Sequence, residues 1–184
     1  MNRVEWRLSG FGGQGIILAG FIVGQAAAIY DGKNATFTQA YGPEARGGAC
    51  SAQVVISDEP NGYPYVEAPS LVVAMSQEAY LMYASQVGDE VQVIIDEDLV
   101  KPEPSKKKKI LAVPATRIAQ ELGRSAVANI VMLGFLSAVT DIVSLDAMKK
   151  SILDSVPKGT EELNMKAFER GYAHGKEQMR ALRE

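Results

Sequence analysis

The sequence is poor in the residues that most often carry redox or metal chemistry: 184 residues contain one cysteine and one histidine. A single thiol, Cys50, can close no internal disulfide, and it falls short of the four thiolates that an iron–sulfur cluster usually takes. Its place after a small-residue loop and at the start of a strand suits a buried structural thiol. His174, far from the cysteine on a polar C-terminal helix, reads as a surface residue rather than a metal ligand. Basic charge is also scarce. Lys and Arg number 19 against 22 Asp and Glu, giving a net charge of -3 and no footprint for nucleic acid. The N-terminus MNRVEWRLSG lacks the apolar core of a signal peptide, and the longest apolar stretch, residues 16–30, is broken by Gly20, Gly24 and Gln25. These features predict a cytoplasmic protein with no membrane span.

Apolar residues make up 47% of the chain, enough for one substantial core, and no repeat or composition shift divides it. The expectation is one domain over residues 1–184. Strand-like runs occur at residues 4–8, 35–39, 49–56, 71–75, 91–97 and 110–115. Helical patterns follow the first, begin again at Ser76 as an N-cap, at Thr116 and at Ser125, and fill the C-terminal part on either side of Pro157 and Gly159. Strands alternating with helices predict an α/β layered, Rossmann-like fold with a largely parallel sheet and helices on both faces.

The stretch LSGFGGQGIILAG carries the first motif. Gly10, Gly12 and Gly15 have G-x-G-x-x-G spacing between a strand and a helix, the setting in which backbone N–H groups receive a phosphate. A dinucleotide site adds an acidic residue at the end of the second strand. Asp31 precedes that strand, and its end reads Thr36, Phe37, Thr38, Gln39, without a carboxylate. Three readings stay open: a dinucleotide enzyme, glycines that only permit close packing, or N–H groups of Gly12, Gly13 and Gly15, with the Gln14 amide, facing a phosphate or a partner's group. A second glycine loop, AYGPEARGGACS, could meet the first at one edge of the sheet. Its candidates are Tyr41, Glu44, Arg46, Gly47 and Gly48, and the Arg46 fork suits bidentate contact with phosphate or carboxylate. Lys106 to Lys109 read as a solvated run beside a strand edge. The carboxylates Asp96, Glu97 and Asp98 lack the companions a metal would need. No residue is nominated as acid, base, nucleophile or metal ligand.

Taken together, GFGGQGIILAG, TQAYGPEARGGACSAQVVISDEP, AMSQEAY, ANIVMLGF and LNMKAFERGY resemble the gamma subunit of the 2-oxoacid:ferredoxin oxidoreductases. The resemblance spans nearly the whole chain, and YGPEARGG is most similar to the 2-oxoglutarate branch, 2-oxoglutarate synthase. It implies a hetero-oligomer that decarboxylates a 2-oxoacid oxidatively, passes the acyl group to coenzyme A and reduces ferredoxin, or runs in reverse. Thiamine diphosphate and iron–sulfur clusters would then sit on alpha and beta subunits, with a delta subunit in some assemblies. This chain would bind no cofactor alone and would be inactive alone. Its Gly88-Asp89 pair is followed by Glu90 where a thiamine-binding motif needs glycine. The two glycine loops, Gly12 to Gly15 and Tyr41 to Gly48, would pack against the catalytic subunits and line the approach of coenzyme A. In isolation the chain could form a homodimer.

Overall fold

The computed structural model describes residues 3–41, 48–103 and 109–183. Six strands form one sheet: β1 (Val4–Phe11), β2 (Asn34–Tyr41), β3 (Ala49–Ser57), β4 (Leu71–Ala74), β5 (Gln92–Asp96) and β6 (Ile110–Val113), in the order β2-β3-β1-β4-β5-β6. β1, β4, β5 and β6 are mutually parallel, while β3 runs antiparallel to both neighbours. The reversed strand is the one departure from a parallel pattern. Only residues 42–48 join β2 to β3, too few for a crossover, so the pair closes as a hairpin with Tyr41 opposite Cys50.

The sheet's two faces are covered unequally. On one lie α1 (Ile16–Gln25), α3 (Ala115–Glu121), α4 (Ala128–Val139), α5 (Leu145–Ser155) and α6 (Glu161–Ala181), which bury Trp6, Leu8, Ala52, Val54, Val73 and Ile94 of the sheet. The other face has the short α2 (Gln77–Ala79) and a π-helical turn, Tyr80–Ala84, packed over Val72, Ala74, Val93 and Ile95. Alternation along β4 and β5 therefore feeds both cores, which is why these strands are apolar throughout.

Local signals explain most helix ends. The Ser76 hydroxyl accepts from Ala79 N–H at 3.2 Å, and Ser144 does the same for Ala147. Thr116 is not a cap. It sits inside α3 and donates its hydroxyl to Asp96 at 2.6 Å, while Pro114 occupies the cap position. The start expected at Ser125 is a 3₁₀ turn, Ser125–Val127, leading into α4.

α4 and α6 approach so closely that side chains are excluded at their crossing. A methyl group on Gly134 would fall on the Phe168 carbonyl oxygen, and one on Gly171 would fall on that of Val131. His174, half-buried, lies beside Phe135 with ring centroids 6.0 Å apart. Cys50 is 4% exposed and burial pushes its thiol pKa up, as befits a structural thiol.

Candidate functional site at the strand ends

Both glycine loops spring from one end of the sheet. Phe11, the last residue of β1, pairs with Ala49 at the start of β3, and Tyr41 at the end of β2 pairs with Cys50. The hairpin register thus brings the flanks of the two loops side by side. Tyr41 is 68% exposed there, and Gly48 stands immediately before Ala49. Glu44, Arg46 and Gly47 lie outside the described residues.

The first loop is fastened from beneath. Gln14 N–H donates to Phe11 C=O at 3.2 Å, closing the turn. The Gln14 side chain accepts from Phe11 N–H at 2.9 Å and donates to Met75 C=O at 2.7 Å, so the amide ties the ends of β1 and β4 together. Met75 N–H donates to Ser9 C=O at 2.8 Å, and the Ser9 hydroxyl donates to Val73 C=O at 2.6 Å. Gly12 and Gly13 remain exposed on top of this scaffold.

Gly15 enters α1 with φ of 72°, in the left-handed region where a side chain is strained. It serves as N-cap without a side-chain hydrogen bond, and the first turn of α1 holds no acid. The first N–H groups of a helix have no partner within it and carry its positive dipole end. Here no carboxylate of that turn competes for them.

Asn129, near the start of α4, donates to Gly15 C=O at 3.1 Å and accepts from Ile130 N–H at 2.9 Å. It is buried and fixes the position of the turn. Nothing near Gly15 in sequence foretells it, because the two residues are 114 positions apart. Beside the turn lies a hollow of about 170 Å³ whose walls include Gly13, Gly15, Arg124, Thr160 and Asn164. On its other side, Phe11, Gln14, Leu99 and Thr116 border a second hollow of about 420 Å³. The geometry is that of the crevice at the carboxyl ends of the strands in an open α/β sheet.

The carboxylates after β5 are committed to local structure. Asp96 accepts from Thr116 N–H at 3.0 Å as well as from its hydroxyl, and from Asp98 N–H at 3.2 Å. Burial pushes its pKa up, and the hydrogen bonds from Thr116 and Asp98 oppose that rise. Arg117 pairs with Glu97 and, at 3.7 Å, with Asp98. Among the described residues, no group of three or more His, Cys, Asp or Glu side chains could hold a metal ion, and no helix is long and apolar enough to cross a membrane.

The family model for pyruvate ferredoxin/flavodoxin oxidoreductase matches residues 5–174. The chain belongs to this family. Within the pyruvate ferredoxin/flavodoxin oxidoreductase family, it is 55% identical to the 2-oxoglutarate synthase subunit KorC of Methanocaldococcus jannaschii over 178 residues, covering 95% of each chain. Against the pyruvate synthase subunit PorC of the same organism the identity is 32%, over 92% of this chain and 95% of that one. The gamma subunit of a keto/oxoacid ferredoxin oxidoreductase from Geobacter sulfurreducens superposes with a TM-score of 0.82 at 41% identity, covering 94% of this chain and 98% of that one. The mixed, mostly parallel sheet is thus the fold of this family's gamma subunits.

Proposed function

We propose that this chain is the gamma subunit of a 2-oxoglutarate:ferredoxin oxidoreductase, which converts 2-oxoglutarate and coenzyme A to succinyl-CoA with reduction of ferredoxin, or runs the reverse reaction. One observation carries the substrate assignment. Two paralogous subunits from one organism differ in their likeness to this chain, 55% for the 2-oxoglutarate subunit against 32% for the pyruvate subunit. The chain covers nearly the full length of both, so the difference is not an effect of partial alignment.

The division of labour follows from what the chain holds. Its one thiol is buried beneath the helices, which leaves iron–sulfur clusters to alpha and beta partners, and to delta where present, and its Gly88-Asp89 pair runs on into Glu90 rather than glycine, which favours the same partners for thiamine diphosphate. The glycine turn suits a phosphate-bearing group such as coenzyme A. Gly12 and Gly13 are exposed, the first turn of α1 is free of acid, and Arg124 stands at the same hollow. Gly12, Gly13 and Gly15 would supply the backbone there. Gln14 would hold the turn in place, and Tyr41, Glu44, Arg46, Gly47 and Gly48 would complete the rim from the hairpin. Coenzyme A, when bound, supplies the thiol that receives the acyl group. This chain's share is to bind and orient at the rim.

The test is reconstitution. Co-purified alpha, beta and gamma subunits should reduce a viologen dye with 2-oxoglutarate and coenzyme A, and omission of this chain should abolish that activity. A reconstituted complex that prefers pyruvate would overturn the substrate assignment. Full activity without this chain would overturn the role.

A further inference from the structure

The positive charges of α6 fall into two groups. In its first half, Lys166 pairs with Glu162, and Arg170 pairs with Glu121 of α3. Farther along, Lys176 and Arg180, with Arg183 just past the helix end, have no ion pair among the described residues. Spacings of four and three residues set these cations on one stripe. All three are exposed, and Lys176 lies over the Tyr172 ring, 5.4 Å from its centroid. They gather in a chain whose net charge is -3.

The stripe forms one wall of a hollow of about 680 Å³, larger than either hollow beside the glycine turn. The end of α4 supplies the facing wall. Ala138 and Val139 bring apolar surface there, as Met179 does from α6. Asp141 follows the helix end with an exposed carboxylate that has no ion pair among the described residues. The last carbonyls of α4 add acceptors, because they lack partners within the helix and carry its negative dipole end. The polar groups of one wall therefore donate and those of the other accept. Asn129, near the opposite end of α4, holds the glycine turn, so about 15 Å of helix separates that turn from this hollow.

We propose that this hollow binds a ribonucleoside phosphate, with the phosphate against Lys176, Arg180 and Arg183 and the ribose hydroxyls against Asp141, at a site separate from the glycine turn. The two-sided polarity selects this class. A plain polyanion, or a run of acidic side chains, would meet cations on one wall and be repelled by Asp141 and the α4 carbonyls on the other. A ribonucleoside phosphate carries anionic oxygens beside hydroxyl donors, and a carboxylate bonded to ribose hydroxyls recurs in dinucleotide sites. Arginine forks suit phosphate bidentately, and lysine meets it as a point charge. The base has Ala138, Val139 and Met179 to rest on, and the volume is that of a small-molecule site. Free nucleotides and the phosphorylated adenosine end of coenzyme A share this chemistry.

Calorimetric titration of the full chain with AMP and with ATP should show saturable binding. Lys176→Gln combined with Arg180→Gln should weaken it by at least about tenfold through lost charge-assisted hydrogen bonds. Asp141→Ala should weaken AMP, whereas inorganic tripolyphosphate, which the carboxylate only repels, should bind more tightly to that variant. All the altered side chains are exposed, so circular dichroism and melting should match the parent. Adenosine 3′,5′-bisphosphate separates the two sources: binding tighter than that of ADP assigns the site to coenzyme A, and equal or weaker binding assigns it to a free nucleotide. Absence of nucleotide binding overturns the inference, as does binding that survives loss of both cations, or an Asp141→Ala variant in which AMP and tripolyphosphate move together. A parent that binds no nucleotide, with a Lys176 and Arg180 variant that fails to join the alpha and beta subunits, would give the stripe to acidic side chains of those partners. Binding is read without any assay of activity, so its failure leaves the reading of the chain as a gamma subunit standing.

Discussion

Gly134 and Gly171 draw two helices together, whereas Gly13 and Gly15 turn a strand into a helix. The first pair sits at a crossing where a methyl group would meet backbone oxygen on the opposite helix, and the second pair has φ of 102° and 72°. One demand is for space and the other for conformation. Backbone at a helix crossing can move only if both helices move, while a strained turn distorts a few residues. Glycines of the first kind should therefore dominate stability, and those of the second kind should dominate the site.

The largest expected effect follows from the crossing. Gly171→Ala should cost about 3 kcal/mol or more, because overpacking against backbone cannot be relieved by a rotamer change. Gly134→Ala, against the Phe168 carbonyl, should match it. Thermal unfolding reads both. A melting temperature near that of the parent would mean that α4 and α6 can separate freely, and the comparison would collapse.

Gly15→Ala should come next, at about 2 kcal/mol, from left-handed strain added to displacement of Asn129. Gly13→Ala has open space around its methyl group, so only the backbone strain of about 1 kcal/mol applies. Combining each with Asn129→Ala separates the two terms. The Gly15 penalty should shrink in that background and the Gly13 penalty should not. Equal shrinkage would show that Asn129 supports the whole turn rather than Gly15 alone.

How much of this was legible in the sequence differs between the same two regions. The turn could be read locally, because glycine spacing, the preceding strand and the apolar run are contiguous. The six strands were readable to within a few residues for the same reason, since short β-rich runs, alternating or apolar throughout, are bounded by turn residues in the sequence itself. The antiparallel sense of β3 is not stated by the expectation of a largely parallel sheet, although a seven-residue link between β2 and β3 leaves no room for a crossover. Thr116 looked like a cap because its real partner, Asp96, is 20 positions away. The α4–α6 crossing was invisible for the same physical reason as Asn129. Each helix carries glycine or a small residue at intervals that any helix could have, and only the distant partner gives those intervals meaning. Of the rim, Tyr41 and Gly48 flank the link between β2 and β3 at the end of the sheet that also carries the first glycine turn, while the loop between them is outside the described residues.

The smallest effect has the opposite sign. Gly24 lies near the end of α1, and a methyl group there would sit 3.6 Å from the Phe37 Cβ and 3.9 Å from a Val54 methyl, both ordinary contacts. Its φ is not positive, so neither demand of the comparison applies. Gly24→Ala should then raise stability by about 0.5–1 kcal/mol through helix propensity alone. The gain would appear as a small rise in melting temperature with assembly unaffected. A loss would place a third demand on glycine in this chain, located where α1 passes into the π-helical turn of residues 26–30. In that case the helix needs backbone slack at Gly24 to change its hydrogen-bond register, and space and sign of φ would no longer account for every glycine compared.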